Sequence, residues 1–164
     1  MKSLYIIRHA KSSWGDFSLP DIERPLNERG KNDAPMMAQR LLDKKIVIDV
    51  FLSSPATRAL KTCKLFCKEY KRKEDSIIIQ NDLYHASVDA FYKVIDTIDN
   101  KFKSAAIFSH NPGITEFVNS FGLSVKIDNM PTCAVFGLKL LSDNWEDFKK
   151  ADKVFDFFQY PKLT

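Results

Sequence analysis

Apolar residues in this chain fall into two patterns that alternate from one end to the other. Short blocks with few polar interruptions read as buried strands, and longer stretches with apolar residues three and four apart read as helices. The first block covers residues 3–7. Residues 10–26 are irregular and punctuated by Gly15, Pro20 and Pro25. Asn27 then stands as a cap before a helix that carries Ala34, Met37, Ala38, Leu41 and Leu42 on one face. A second strand is predicted over 47–52 and closes at Ser53-Ser54-Pro55. The next helix has Pro55 in its first turn and buries Ala59, Cys63, Phe66, Cys67 and Tyr70. Ile77-Ile78-Ile79 is a third strand. Ser87 begins a helix striped by Phe91, Val94, Ile95 and Ile98. A fourth strand at 105–108 runs into Ser109-His110-Asn111-Pro112, followed by a short helix marked by Ile114, Phe117, Val118 and Phe121. Residues 133–141 and 154–158 are late strands, a hairpin or an edge pair.

Strands alternating with helices at this spacing predict an α/β sandwich with a mainly parallel sheet, its terminal strands antiparallel at an edge. With no internal repeat and no linker, the 164 residues form one domain, 1–164. In such sheets ligands gather beyond the carboxyl ends of the strands. The candidate chemistry lies there.

Composition narrows the partners. The 25 basic and 21 acidic residues leave a net charge of +4, and the signs are interleaved, as over residues 68–75. Nothing there resembles a nucleic-acid footprint, and 68–75 is expected to be a solvated helix end and loop. Cys63, Cys67 and Cys133 are odd in number, and no further ligands stand at zinc spacing, so buried free thiols are expected and no metal. The four apolar or near-apolar residues between Lys2 and Arg8 are too few for a signal peptide. No stretch approaches the ~18 apolar residues that a membrane span needs. A soluble, reduced, cytoplasmic protein is expected.

The three histidines are His9, His85 and His110. His9 directly follows the first strand, and His110 stands at the end of the fourth. Arg8 adjoins His9, and Arg58 opens the helix after the second strand. Two imidazoles, two guanidiniums and helix amino termini converging on one edge suit a phosphoryl group, whose oxygens take forked donors.

These residues also carry a resemblance. Arg8-His9-Ala10, the run Ser53 to Ala59 with Thr62, and Ser109-His110-Asn111-Pro112 resemble the three blocks of the histidine phosphatase superfamily, which has a phosphoglycerate-mutase-like fold. The segment from Arg8 to Trp14, Arg24-Pro25-Leu26-Asn27 with Gly30, Leu83 to Ala86, and Met130-Pro131-Thr132 resemble its short bacterial SixA-like phosphohistidine phosphatase branch. The resemblance spans essentially the whole chain and implies a three-layer α/β/α sandwich. It implies that His9 is a nucleophile that becomes transiently phosphorylated, while Arg8, Arg58 and His110 bind the phosphoryl oxygens. Arg24 is carried over as a further phosphate ligand from a loop, and neither cofactor nor metal is implied.

Two departures from the superfamily pattern stand out. Ala10 occupies a position that is commonly glycine. The carboxylate that larger relatives use as general acid has no evident counterpart. Asp82, Tyr84 and His85 lie in the appropriate region, with Asp16, Asp21 and Glu23 of the 10–26 loop as substitutes. A missing acid favours a substrate whose leaving group needs little help. The short segment at 81–103 leaves little chain for a lid, so an open site is expected. The expected function is therefore a metal-independent phosphohydrolase acting through phosphorylated His9 on phosphohistidine in a protein. A phosphatase for small phosphomonoesters and a low-turnover phosphate-binding module are the alternatives. The partner is a phosphorylated protein or small phosphorylated substrate, and oligomeric state is left open.

Overall fold

The apolar block at the amino terminus becomes the centre of the sheet, because both of its faces are covered. A computed structural model of the chain describes residues 1–163. In chain order the elements are β1 (Lys2–Arg8), α1 (Glu28–Asp43), β2 (Val50–Ser53), α2 (Thr57–Glu69), β3 (Ile78–Ile79), α3 (Val88–Asp96), β4 (Ser104–Ser109), α4 (Gly113–Asn119), β5 (Val135–Leu140) and β6 (Lys153–Gln159). The strands form one sheet in the order β3-β2-β4-β1-β5-β6. β1 to β4 are parallel, while β5 runs antiparallel to β1 and β6 antiparallel to β5. The mainly parallel sheet with an antiparallel edge is as expected.

Successive strand residues face opposite sides, and that alternation divides the core in two. Leu4, Ile6, Leu52 and Ile107 pack under α3 and α4 against Phe91, Ile95 and Phe117. Tyr5, Ile7, Phe51 and Phe108 pack under α1 and α2 against Met37, Leu41, Cys63 and Phe66. The result is a three-layer α/β/α sandwich. All three cysteines are free and buried. No helix among the described residues is long and apolar enough to cross a membrane.

Differences from the sequence-based reading lie at element ends. The second strand begins three residues late, and Pro55 precedes α2 because Ala56, not Pro55, takes the cap position. β3 shrinks to two residues at the exposed sheet edge. α4 stops at Asn119, yet Phe121 still packs edge-on against Phe117, with ring centroids 4.8 Å apart. The Asn27 cap is present, its side chain accepting from the Gly30 N–H.

The 10–26 loop is tied down at its base. Ser12 bridges Leu26, Ser13 N–H donates to the Pro25 carbonyl, and Asn27 N–H donates to the Lys11 carbonyl. A Cβ on Gly30 would stand 2.2 Å from that same carbonyl oxygen, so only glycine lets α1 approach so closely. Residues 20–24 are thereby folded back over the carboxyl edge of the sheet.

Candidate active site

The carboxyl ends of β1, β2 and β4 bring four functional side chains together. Arg8 is the last residue of β1 and lies in register with Ser109 of β4. The His9 backbone is pinned on two sides: its N–H donates to the Ser109 carbonyl at 3.1 Å, and its carbonyl accepts from Cys133 N–H at 3.0 Å. Its ring lies 5.1 Å from the His110 ring. Thr62 sets the neighbouring turn, accepting from Ala10 N–H at 3.0 Å and donating to the Arg58 carbonyl at 2.7 Å. Ala10 is fully buried. The non-glycine residues with left-handed backbone are Lys45, Lys71, His85 and Cys133, so Ala10 fits without strain.

Hydrogen bonding assigns the tautomer of His9. Nδ1 faces the Ala10 carbonyl at 2.7 Å, a partner that only accepts, so Nδ1 carries the proton and Nε2 holds the lone pair. Burial, followed by the charges of Arg8, Arg58 and Arg24, pushes the His9 pKa down to about 3. The ring is neutral and ready to attack. His110 Nε2 meets Ser54 Oγ at 2.7 Å, and burial with the neighbouring His9 and Arg58 pushes its pKa down to about 2. His110 is thus neutral in the unliganded site.

Among the described residues, three buried side-chain polar atoms have no hydrogen-bond partner: Arg8 Nε, Arg58 Nε and His110 Nδ1. Buried polar groups are almost always satisfied, so unmet donors need an explanation. All three belong to one site, and two are on guanidiniums held in place by other atoms. Arg8 Nη1 donates to the Met130 carbonyl at 2.8 Å. Arg58 donates through Nη1 to the Asp21 carbonyl at 2.8 Å and through Nη2 to Asp21 Oδ2 at 3.0 Å. An oxyanion beside His9 would give the two guanidinium N–H groups a partner, and His110 as well when its proton is on Nδ1.

Arg24 reaches the site from the loop. Its Nε donates to Asp21 Oδ1 at 3.1 Å, its Nη1 to Ser12 Oγ at 3.1 Å, and its guanidinium stacks 3.5 Å from the Trp14 ring centre. Its charge is felt at His9. The loop therefore covers the site together with Tyr84. His9 is only 6% and His110 only 7% exposed, more enclosed than the short 81–103 segment predicts.

The substitutes for an acid separate clearly. Asp16 holds Ser18, and Glu23 and Asp82 make no side-chain hydrogen bond to a residue of the site. Tyr84 and His85 lie beside the site, with rings 4.0 Å apart and Tyr84 5.5 Å from His110. Asp21 alone enters, bound by Arg58, Arg24 and the Tyr84 hydroxyl, which donates at 2.6 Å. The Tyr84 hydrogen bond above all, then Arg58 and Arg24, hold its carboxyl well below the usual carboxylate range. The (i, i+3) spacing of Asp21 and Arg24 was visible in the sequence, but their pairing with Arg58 depends on the folded loop. Ser54 and Met130 stand in the motifs quoted above, but the bonds they make, to His110 and to Arg8, are set by the fold.

A family model described as the histidine phosphatase superfamily (branch 1) matches residues 4–111, a span holding Arg8, His9, Arg24, Arg58 and His110. The chain belongs to this superfamily. A plant relative, an uncharacterised chloroplastic protein of Arabidopsis thaliana, is 29% identical over 162 residues, covering 89% of this chain and 70% of the relative. The histidine phosphatase fold recurs in the protein histidine phosphatase SixA solved with tungstate, at a TM-score of 0.82 and 21% identity over 97% of both chains. It recurs again in a putative phosphohistidine phosphatase SixA from Agrobacterium tumefaciens, at 0.79 and 21% over 98% of both chains. Among the described residues of this superfamily member, no group of three or more His, Cys, Asp or Glu could hold a metal ion.

Proposed function

We propose that this chain is a phosphohydrolase that takes a phosphoryl group onto His9 Nε2, with phosphohistidine in a protein as its preferred substrate. The observation that carries the reading is the pair of unmet guanidinium N–H groups on Arg8 and Arg58, with an unpartnered His110 ring nitrogen, at the strand ends that also hold a neutral His9 whose lone pair is on Nε2. In-line attack by Nε2 forms a P–N bond as the bond to the leaving group breaks, and the fixed donors stabilise the equatorial oxygens. Water then attacks phosphorus, Nε2 recovers its electron pair, and the water proton leaves with phosphate. Arg8, Arg58 and Arg24 supply the charge that a metal supplies elsewhere. A protein histidine phosphatase of the same fold, SixA, is solved with tungstate, an oxyanion, which supports an oxyanion as the ligand of this site.

The preference for phosphohistidine rests on the leaving group. No protonated carboxyl stands in the site, because Asp21 is held ionised. An alkoxide needs a proton to leave, whereas phosphohistidine protonated on its other ring nitrogen releases a neutral imidazole with no proton from the enzyme. The burial of His9 and His110 favours a small phosphomonoester as the second reading. A binding module is disfavoured, because binding needs the cations but not a deprotonated Nε2. Comparing kcat/KM on phosphohistidine, phosphoserine and small phosphomonoesters tests the choice. Phosphohistidine is expected to lead by orders of magnitude, and equal rates on phosphoserine would overturn it.

A further inference from the structure

Asp21 is the one carboxylate bonded to the arginines of the site, and the mechanism above does not use it. Its contacts are specific. A carboxylate offers about four acceptor positions. Arg24 Nε takes one on Oδ1, while Arg58 Nη2 and the Tyr84 hydroxyl take both on Oδ2. One position on Oδ1 is left, and the side chain is 45% exposed at the mouth of the site. Arg58 keeps a buried, unmet Nε while its terminal nitrogens bond Asp21. The carboxylate therefore stands one guanidinium away from the phosphoryl position. An imidazole bonded to phosphorus through one nitrogen presents its other nitrogen at about that remove.

We propose that Asp21 is a specificity-determining residue, whose free Oδ1 position accepts the ring N–H of the departing imidazole and so selects phosphohistidine over phosphate esters. The inference rests on the phosphohydrolase reading given above. In the transfer step the substrate P–N bond breaks as the bond to His9 Nε2 forms. The substrate imidazole keeps the electron pair of the broken bond. The substrate reacts in its ring-protonated form, whose other nitrogen already bears a proton, so the imidazole leaves neutral and no proton moves from the enzyme. Asp21 holds that proton in place on the ring. An ester leaving oxygen gains negative charge in the same step and meets a carboxylate instead of a donor, so the residue acts by repulsion as well as attraction. Tyr84 keeps the carboxylate aimed by donating to it.

The test is the ratio of kcat/KM on phosphohistidine to kcat/KM on p-nitrophenyl phosphate, in wild type, Asp21→Asn and Tyr84→Phe. Asp21→Asn lowers both rates, because it loosens Arg58, but it should lower the phosphohistidine rate at least about ten-fold further, as for a lost charged hydrogen bond. Tyr84→Phe should shift the ratio in the same direction by a few-fold, and it preserves the Asp21–arginine pairs if Asp21→Asn loosens the loop. Equal losses on both substrates would reduce Asp21 to a clamp for the arginines and overturn the proposal. A larger loss on the aryl ester would make Asp21 a proton donor and overturn it too. Wild-type protein that hydrolyses the aryl ester but not phosphohistidine would defeat the substrate reading itself, a failure visible before any variant is made.

Discussion

The strand-end cradle and the loop that covers it hold their charged groups by different means. In the cradle, backbone atoms of β4 and of the turn that leads into β5 do the holding. His9 is fixed by Ser109 and Cys133, and Arg8 by the Met130 carbonyl. In the loop, side chains hold one another: Arg24 by Asp21, Ser12 and the Trp14 face, and Asp21 by Tyr84. Backbone anchors persist as long as the sheet does, whereas a side-chain cluster fails when one member is removed. Arg58 belongs to both regions, since it is placed by α2 and aimed by Asp21.

That contrast orders the expected effects. His9→Ala should abolish turnover while leaving the melting temperature near wild type, since its anchoring bonds are backbone bonds. Retained turnover in folded protein would end the nucleophile assignment. Arg8→Ala and Arg58→Ala should each lower kcat by about 10²-fold or more, as for lost oxyanion donors. Arg24→Ala, on the loop side, should cost about ten-fold and be accompanied by faster proteolysis within residues 10–26. An equal loss for Arg24 and Arg8 would erase the distinction between the two regions.

Stability against pH probes the cradle alone. His9 and His110 have folded pKa values near 3 and 2, against about 6.5 in the unfolded chain. Folding therefore excludes protons from both rings. The stabilisation is fully present above about pH 6.5 and is lost as pH falls toward the folded values. Between pH 6 and 4 each ring should contribute a loss of about 1.4 kcal/mol per pH unit. Chemical denaturation of His110→Gln across that window should show a slope shallower by one such contribution. An unchanged slope would mean that His110 is protonated in the folded protein. The smallest effect is expected at Phe17, 90% exposed on the loop, where Phe17→Ser should leave kcat/KM on small substrates within about two-fold.

The cradle was legible in the sequence because its residues sit at strand ends, and strand ends are marked by abrupt loss of apolar character. Arg8, His9 and His110 are read directly from such boundaries. Arg58 follows from the first turn of the next helix. The loop was harder, because residues 10–26 have no periodicity and their pairings span long separations. Asp21 to Arg58 and Asp21 to Tyr84 are contacts that only the fold creates. Asp16, Asp21 and Glu23 look alike in sequence, and what distinguishes Asp21 is the return of the loop over the sheet, fixed by Ser12–Leu26 pairing and the close approach at Gly30. The burial of His9 and His110 was not legible for the same reason, since the loop and Tyr84 meet over them only in the fold. Element ends also shifted, as at β3, where an apolar triplet yields only two paired residues at an exposed edge.

The central claim is a phosphoryl group carried on His9 Nε2. It is tested most directly by rapid quench of the protein with radiolabelled phosphohistidine or phosphoimidazole under alkaline conditions, followed by peptide mapping. The account predicts label on the peptide containing His9, stable to alkali and lost in acid, with a stoichiometry approaching one in variants slowed in hydrolysis and absent from His9→Ala. Turnover of the same substrates with no label on His9 at any quench time, or label retained by His9→Ala, would contradict it.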